Sequence, residues 1–171
     1  MQTLRDAQPM VFRNALTAVA FASDAAAHLV DFVGQPLPLP HYLEWNLFNS
    51  IHSAEMAVDF DGVLCEECPP EDDDDGPRYE RFLREAKPLY LPRKFPVRVV
   101  ATARDAKYEQ LTRDWLTRHG VQFERLSMRS WGGIRNRTPN AVIAHKADAY
   151  HRSRATLMVE SCPIQAAAIH H

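Results

Sequence analysis

The stretch Met56-Ala57-Val58-Asp59-Phe60-Asp61-Gly62 sets the narrowest limits on what this chain can fold into. Its apolar residues predict a short strand, and that strand runs directly into two aspartates and a glycine. Side chains at positions i and i+2 of an extended strand point the same way, so Asp59 and Asp61 are expected side by side where strand gives way to loop. Two carboxylates at that spacing need a cation or a shared proton between them. Gly62 permits backbone geometry that other residues avoid and lets a ligand approach the main chain closely. Two readings stand at this point: a divalent-metal and phosphate site, or a strand-end turn in which Asp61-Gly62 is simply good turn chemistry.

The remainder of the chain narrows the fold. Ala15–Phe21 reads as a strand or short helix and Leu29–Val33 as a short strand, after a mixed segment, residues 1–14, expected to fray. Three alternating prolines in residues 34–40 predict an extended linker, followed by an aromatic-rich docking segment from His41 to Ser50 containing Trp45 and Phe48. Beyond it strands and helices alternate. Strands are expected at Met56–Phe60, Val97–Thr102, Val121–Met128 and Thr156–Glu160. Between them lie a helix from Pro77 to Pro88 with Tyr79, Phe82, Leu83 and Ala86 inward, and a helix opened by Asp105 and ended by Gly120. The second of these carries Tyr108, Leu111, Trp115 and Leu116 on its apolar face. Ser130–Asn140 reads as a loop, Ala144–Ser153 as a helix, and Pro163 opens a last helix. Such alternation implies parallel strands joined by right-handed crossovers, hence an α/β three-layer sandwich with a Rossmann-like sheet.

Functional residues of such sheets collect at the carboxyl ends of the strands. Asp59, Asp61, Thr102 and Glu160 fall at those ends, and Lys146 lies on the helix leading into the last strand. Paired carboxylates, a hydroxyl, a lysine and a further acid meet the needs of phosphoryl transfer through an aspartyl-phosphate. Magnesium, Mg2+, is the cofactor that suits such oxygen donors and would neutralise charge between an anionic nucleophile and an anionic phosphate. Arg104, two residues past Thr102, has two readings: a phosphate contact or a solvated arginine at a helix start.

Composition removes other classes. With 171 residues, 46% of them hydrophobic, the chain can build one catalytic domain with an attached segment. A net charge of −2, with Lys and Arg scattered, gives no footprint for nucleic acid. No apolar run approaches the roughly 20 residues that span a bilayer, and the first residues lack a signal-peptide pattern, so a cytoplasmic protein is expected. Three cysteines argue against a disulfide framework. Cys65 and Cys68 have zinc or redox spacing, but a structural zinc site needs a second pair, so free thiols are the main expectation. The run Asp72–Asp75 is a solvated charge run or, in the sharper reading, a small lid.

In order along the chain, Asp59-Phe60-Asp61-Gly62, Val99-Val100-Ala101-Thr102, Lys146 and Leu157-Met158-Val159-Glu160-Ser161 resemble the four motifs of the haloacid-dehalogenase-like (HAD) phosphatase superfamily. The resemblance spans residues from about 54 to the end. It implies a phosphatase domain over residues 51–171 with a minimal cap or none. Asp59 would be the nucleophile, Asp61 the general acid/base, Thr102 and Lys146 phosphate binders, and Glu160 a magnesium ligand with Asp59 and the Asp61 carbonyl. One departure stands out: Ser161 occupies a position where many members carry an aspartate. The substrate class implied is a small phosphorylated metabolite, a nucleotide or sugar phosphate; the alternative is a catalytically weak or inactive HAD-like module associated with a phosphoribosyltransferase partner. Leu29-Val30-Asp31, the Pro38-to-Pro40 stretch, Glu44-Trp45-Asn46, Asp75-Gly76 and Glu160-Ser161 further resemble a protein in which a type I phosphoribosyltransferase-like domain is joined to a HAD domain. Residues 1–50 would then be the end of that transferase-like domain, the partners being such a domain or a second copy in a homodimer. No transferase activity is expected, because the chain has no strand that ends in paired acids followed by a Thr/Gly-rich loop.

Overall fold

Among the described residues, strands pair only in parallel in the computed structural model of this protein, within each of two units formed by Met1–Leu43 and Glu44–His171. The structure describes residues 16–38 and 47–170. The frayed start expected for residues 1–14, most of the docking segment including Trp45, the Glu44-Trp45-Asn46 stretch, Pro40 and His171 lie outside them.

In the first unit, β1 (Ala18–Ala22) and β2 (Phe32–Pro36) pair through a single-turn helix, α1 (Asp24–Ala27). The connection is tied off by Asp31, whose carboxylate accepts from the Thr17 amide and hydroxyl at 2.7 and 2.9 Å. Gly34 is required where the strands meet, since a Cβ there would lie 2.8 Å from the Ala20 carbonyl oxygen. The expected linker is corrected in part: residues from Gly34 to Pro36 belong to β2. Proline is admissible because this two-stranded sheet has open edges.

The second unit holds β3 (Met56–Val58), α2 (Pro77–Glu85), β4 (Val97–Asp105), α3 (Glu109–Arg118), β5 (Phe123–Arg129), α4 (Pro139–Ser153), β6 (Leu157–Val159) and α5 (Pro163–His170). Strand order is β5-β4-β3-β6. The chain therefore builds outward from β3 to β5 and then returns to the other side of β3, so the order reverses between β3 and β6. That is where an open parallel sheet leaves a crevice for ligands.

Strand alternation explains the packing. Met56, Val58 and Phe60 join Leu83, Trp115 and Leu116 in one buried cluster against α2 and α3. Trp115 meets Phe60 edge-to-face at 5.0 Å and donates its indole N–H to the Ala86 carbonyl at 2.8 Å. Each such side chain removed from water contributes on the order of 1.5–3 kcal/mol. Ala57, Val99 and Ala101, of opposite parity, are also fully buried, and α4 packs on β4. Small residues let that helix sit close to the sheet.

Two boundaries differ from expectation, and one residue of the expected docking segment joins the core. β4 runs to Asp105 rather than stopping at Thr102, so Arg104 is a strand residue; Asp105 then accepts from the Lys107 amide at 3.0 Å and opens a 3-10 turn before α3. α4 starts at Pro139, with Thr138 as N-cap accepting from Ala141, inside what reads as loop. Phe48 is buried in the core of the second unit.

Candidate active site

Register brings the first two acids together. Val58 pairs with Val159, and the Asp59 amide continues the ladder by donating to the Val159 carbonyl at 2.9 Å. Asp59 and Glu160 are therefore the next residues on two adjacent parallel strands and emerge on the same face, the one opposite Val58. Lys146, from the middle of α4, reaches both: its Nζ lies 2.8 Å from Asp59 Oδ2 and 2.7 Å from Glu160 Oε2. The remaining oxygens are also engaged, Asp59 Oδ1 by the Phe60 amide at 2.8 Å and Glu160 Oε1 by the Cys162 amide at 3.1 Å. All three side chains are at most 7% exposed. Burial pushes the Asp59 carboxyl well above its ordinary value, although Lys146 pulls it down. Burial also works against the Lys146 ammonium, but Asp59 and Glu160 outweigh it and hold the lysine above its ordinary value.

Asp61 turns to a different partner. Arg104 Nη2 lies 2.6 Å and Nε 3.0 Å from its two carboxylate oxygens, a fork-to-fork contact. The guanidinium stacks on the Phe60 ring, 3.7 Å from its centroid, and the arginine is fully buried. The reading of Arg104 as a solvated residue at a helix start is thus overturned: the late end of β4 carries it inward, where Asp61 and Phe60 compensate its burial. Its Nη1 is buried with no hydrogen-bond partner. Thr102 is fully buried, accepts from the Arg104 amide at 3.2 Å, and is not part of the cavity wall. The pairing of Val58 with Val100 gives the reason, since alternation then puts Thr102 on the side of Val58, away from Asp59.

Gly62 has φ +79°, and a Cβ there would fall 2.5 Å from Ser161 Oγ and 2.6 Å from Glu67 Oε2. Close approach, as well as turn geometry, demands glycine. Ser161 donates its hydroxyl to the Asp61 carbonyl at 3.3 Å.

These residues line a cavity of about 490 Å³ at the reversal between β3 and β6. It brings together Asp59, Asp61, Lys146, Glu160 and Arg104, and leaves out Thr102. Three further charged residues line it: Glu67 and Arg137, which the sequence did not single out, and Asp73 from the acidic run. Burial raises the Glu67 carboxyl, with the Asp61 charge adding to it. Five carboxylates (Asp59, Asp61, Glu67, Asp73, Glu160) thus face three cations (Arg104, Lys146, Arg137), a formal excess of two negative charges. Hard oxygen donors and excess negative charge suit magnesium. Yet among the described residues no group of three or more His, Cys, Asp and Glu side chains is arranged to hold a metal ion, because the Lys146 ammonium sits between Asp59 and Glu160.

The acidic run is not simply solvated. Asp73 pairs with Arg137; Asp74 accepts from the Gly76 and Tyr79 amides at the start of α2; Asp75 takes Lys107 Nζ at 2.8 Å and the Tyr108 hydroxyl. The cysteines are free. Burial raises the Cys65 thiol and pushes Cys68 up to about 12, the reverse of what a reactive redox pair needs. His145 points away from Lys146, toward the Ser127 carbonyl and the Trp131 ring. No helix among the described residues is long and apolar enough to cross a membrane. Comparison with protein-family models, with curated proteins and with solved structures returned no match.

Proposed function

We propose that the second unit is a HAD-like phosphohydrolase that cleaves phosphomonoesters through an aspartyl-phosphate on Asp59. The observation that carries this reading is Lys146 bridging Asp59 and Glu160 at the ends of two adjacent parallel strands. It supplies a nucleophile already oriented by two hydrogen bonds beside a cation that a phosphate can share.

In the first step an Asp59 carboxylate oxygen forms a bond to phosphorus as the ester P–O bond breaks, and Asp61, which must enter protonated and so released from its ion pair with Arg104, gives the leaving oxygen its proton. In the second, Asp61 takes a proton from water, whose oxygen attacks the aspartyl-phosphate phosphorus and frees Asp59 and inorganic phosphate. Arg104 pairs with Asp61 while its guanidinium stacks on Phe60, and the Thr102 hydroxyl positions Arg104 by accepting from its backbone amide. Asp59, Glu160 and the Asp61 carbonyl would hold magnesium, with Lys146 withdrawing from one carboxylate. When bound, that ion neutralises charge between nucleophile and phosphate.

The test is hydrolysis of para-nitrophenyl phosphate with magnesium and with chelator. Turnover that needs magnesium and disappears in Asp59→Asn is expected; no turnover, or turnover unchanged in Asp59→Asn, refutes the reading. A second reading is favoured by the same ion pairs, which satisfy one another without a metal: a weak, phosphate-binding module. Ser161 stands beside the Asp61 carbonyl, so Ser161→Asp adds an acid there. A metal-dependent gain in rate supports the enzyme and no change supports the module.

A further inference from the structure

The cavity's three cations are held in different ways. Arg104 and Lys146 are 0% and 3% exposed and are each bound by carboxylates at the strand ends, Lys146 by two of them. Arg137 comes from the segment before α4, with its side chain 17% exposed, and it pairs with a single carboxylate, that of Asp73, which is 32% exposed. Only one Asp73 oxygen is used; Oδ1 is buried without a partner. The loop that carries Asp73 is anchored on its far side, because Asp74 and Asp75 are tied to α2 and to Lys107 and Tyr108. Arg137 is anchored too: its amide donates to the Ile134 carbonyl at 3.1 Å and its guanidinium lies 5.8 Å from the Tyr79 ring. Two anchored backbones thus present one partly exposed, exchangeable ion pair in the cavity wall.

We infer that Arg137 is a specificity-determining residue that binds a second anionic group of the substrate, and that Asp73 stands in for that group when the site is empty. The substrate class is then a small phosphomonoester with a second anion, such as a carboxylate, beyond the scissile phosphate. This rests on the phosphohydrolase reading for the role of the first phosphate. A cavity of about 490 Å³ suits a small molecule of that kind. Asp73 is an internal competitor, so each ligand anion must displace it before it gains Arg137.

The test compares two probes that share a three-carbon skeleton and a terminal phosphate: glycerol phosphate, which ends in a neutral alcohol, and phosphoglycerate, which ends in a carboxylate. Wild type should favour phosphoglycerate in kcat/KM by about tenfold or more, mainly through KM, the size of a charge-assisted contact. Arg137→Gln should bring that ratio close to one, and Asp73→Asn should raise it. Calorimetric binding of both probes to Asp59→Asn protein reads the same ratio without turnover. If neither probe is hydrolysed, the phosphohydrolase reading fails while the binding ratio still decides the role of Arg137. Equal handling by wild type, or a preference that survives Arg137→Gln, overturns the inference. Should Arg137→Gln not fold, Asp73→Asn decides: a ratio unchanged or lowered is contrary to it.

Discussion

The strand ends and the rim of the cavity both hold acids beside bases, yet they hold them differently. At the strand ends, Asp59, Lys146 and Glu160 are almost wholly buried, and each carboxylate oxygen has a donor. At the rim, Asp73 makes a single ion pair with Arg137, and next to it in the chain Asp74 and Asp75 pair with Arg78 and Lys107, all partly exposed. Buried charges are costly to unpair, whereas exposed pairs exchange with water and salt at little cost. The first arrangement therefore holds its groups in place, and the second leaves Arg137 and Asp73 free to change partners.

The largest effect that can break this comparison is Lys146→Met, which strands two buried carboxylates. Denaturant unfolding should show a loss of about 3–5 kcal/mol; a loss below about 1 kcal/mol would put the strand ends in the same class as the rim. Next comes Gly62→Ala. Its φ of +79° and the crowding by Ser161 and Glu67 predict a loss of about 1–3 kcal/mol, and Ser161→Gly in the same background should recover part of it.

Smaller effects concern pH, where the two regions have opposite signs. Burial raises Asp59 above its ordinary value of 3.8, so the folded protein holds that proton longer than the unfolded chain. Stability contributed by this group is full below 3.8 and falls as pH climbs from there through the folded value. The unfolding free energy of wild type minus that of Asp59→Asn should fall over that climb. Asp74 is lowered by its Arg78 bond, so its contribution is present above 3.8 and is lost as pH falls through its folded value. Asp74→Asn, the smallest effect, should differ from wild type only above that range, and less in about 1 M salt, where charges are screened within roughly 3 Å.

Much of this fold is legible in the sequence because its signals are local. The runs at Met56–Phe60 and Thr156–Glu160 each contain a strand, Val97–Thr102 lies within one, and Tyr79, Phe82 and Leu83 face inward on α2. Asp59, Glu160 and Lys146 meet because strand register and helix position follow from that pattern. What escapes depends on distant partners. Nothing near Arg104 indicates that Asp61, 43 residues earlier, would hold it inside. Arg137 and Asp73 are 64 residues apart on irregular loops, where no periodicity marks a side chain's direction. Glu67 reads as part of a cysteine pair until Gly62 brings it to the cavity. Thr102 is turned away from Asp59 by the pairing of Val58 with Val100, a register that neither strand shows by itself.

The account turns on Asp59 as the nucleophile held by Lys146. The most direct measurement is acid quenching during turnover of para-nitrophenyl phosphate with magnesium, followed by mass-spectrometric mapping of the phosphoryl adduct. The account predicts an adduct on Asp59 that is absent from Asp59→Asn. Hydrolysis with an adduct on another residue, or hydrolysis that persists in Asp59→Asn, would contradict it.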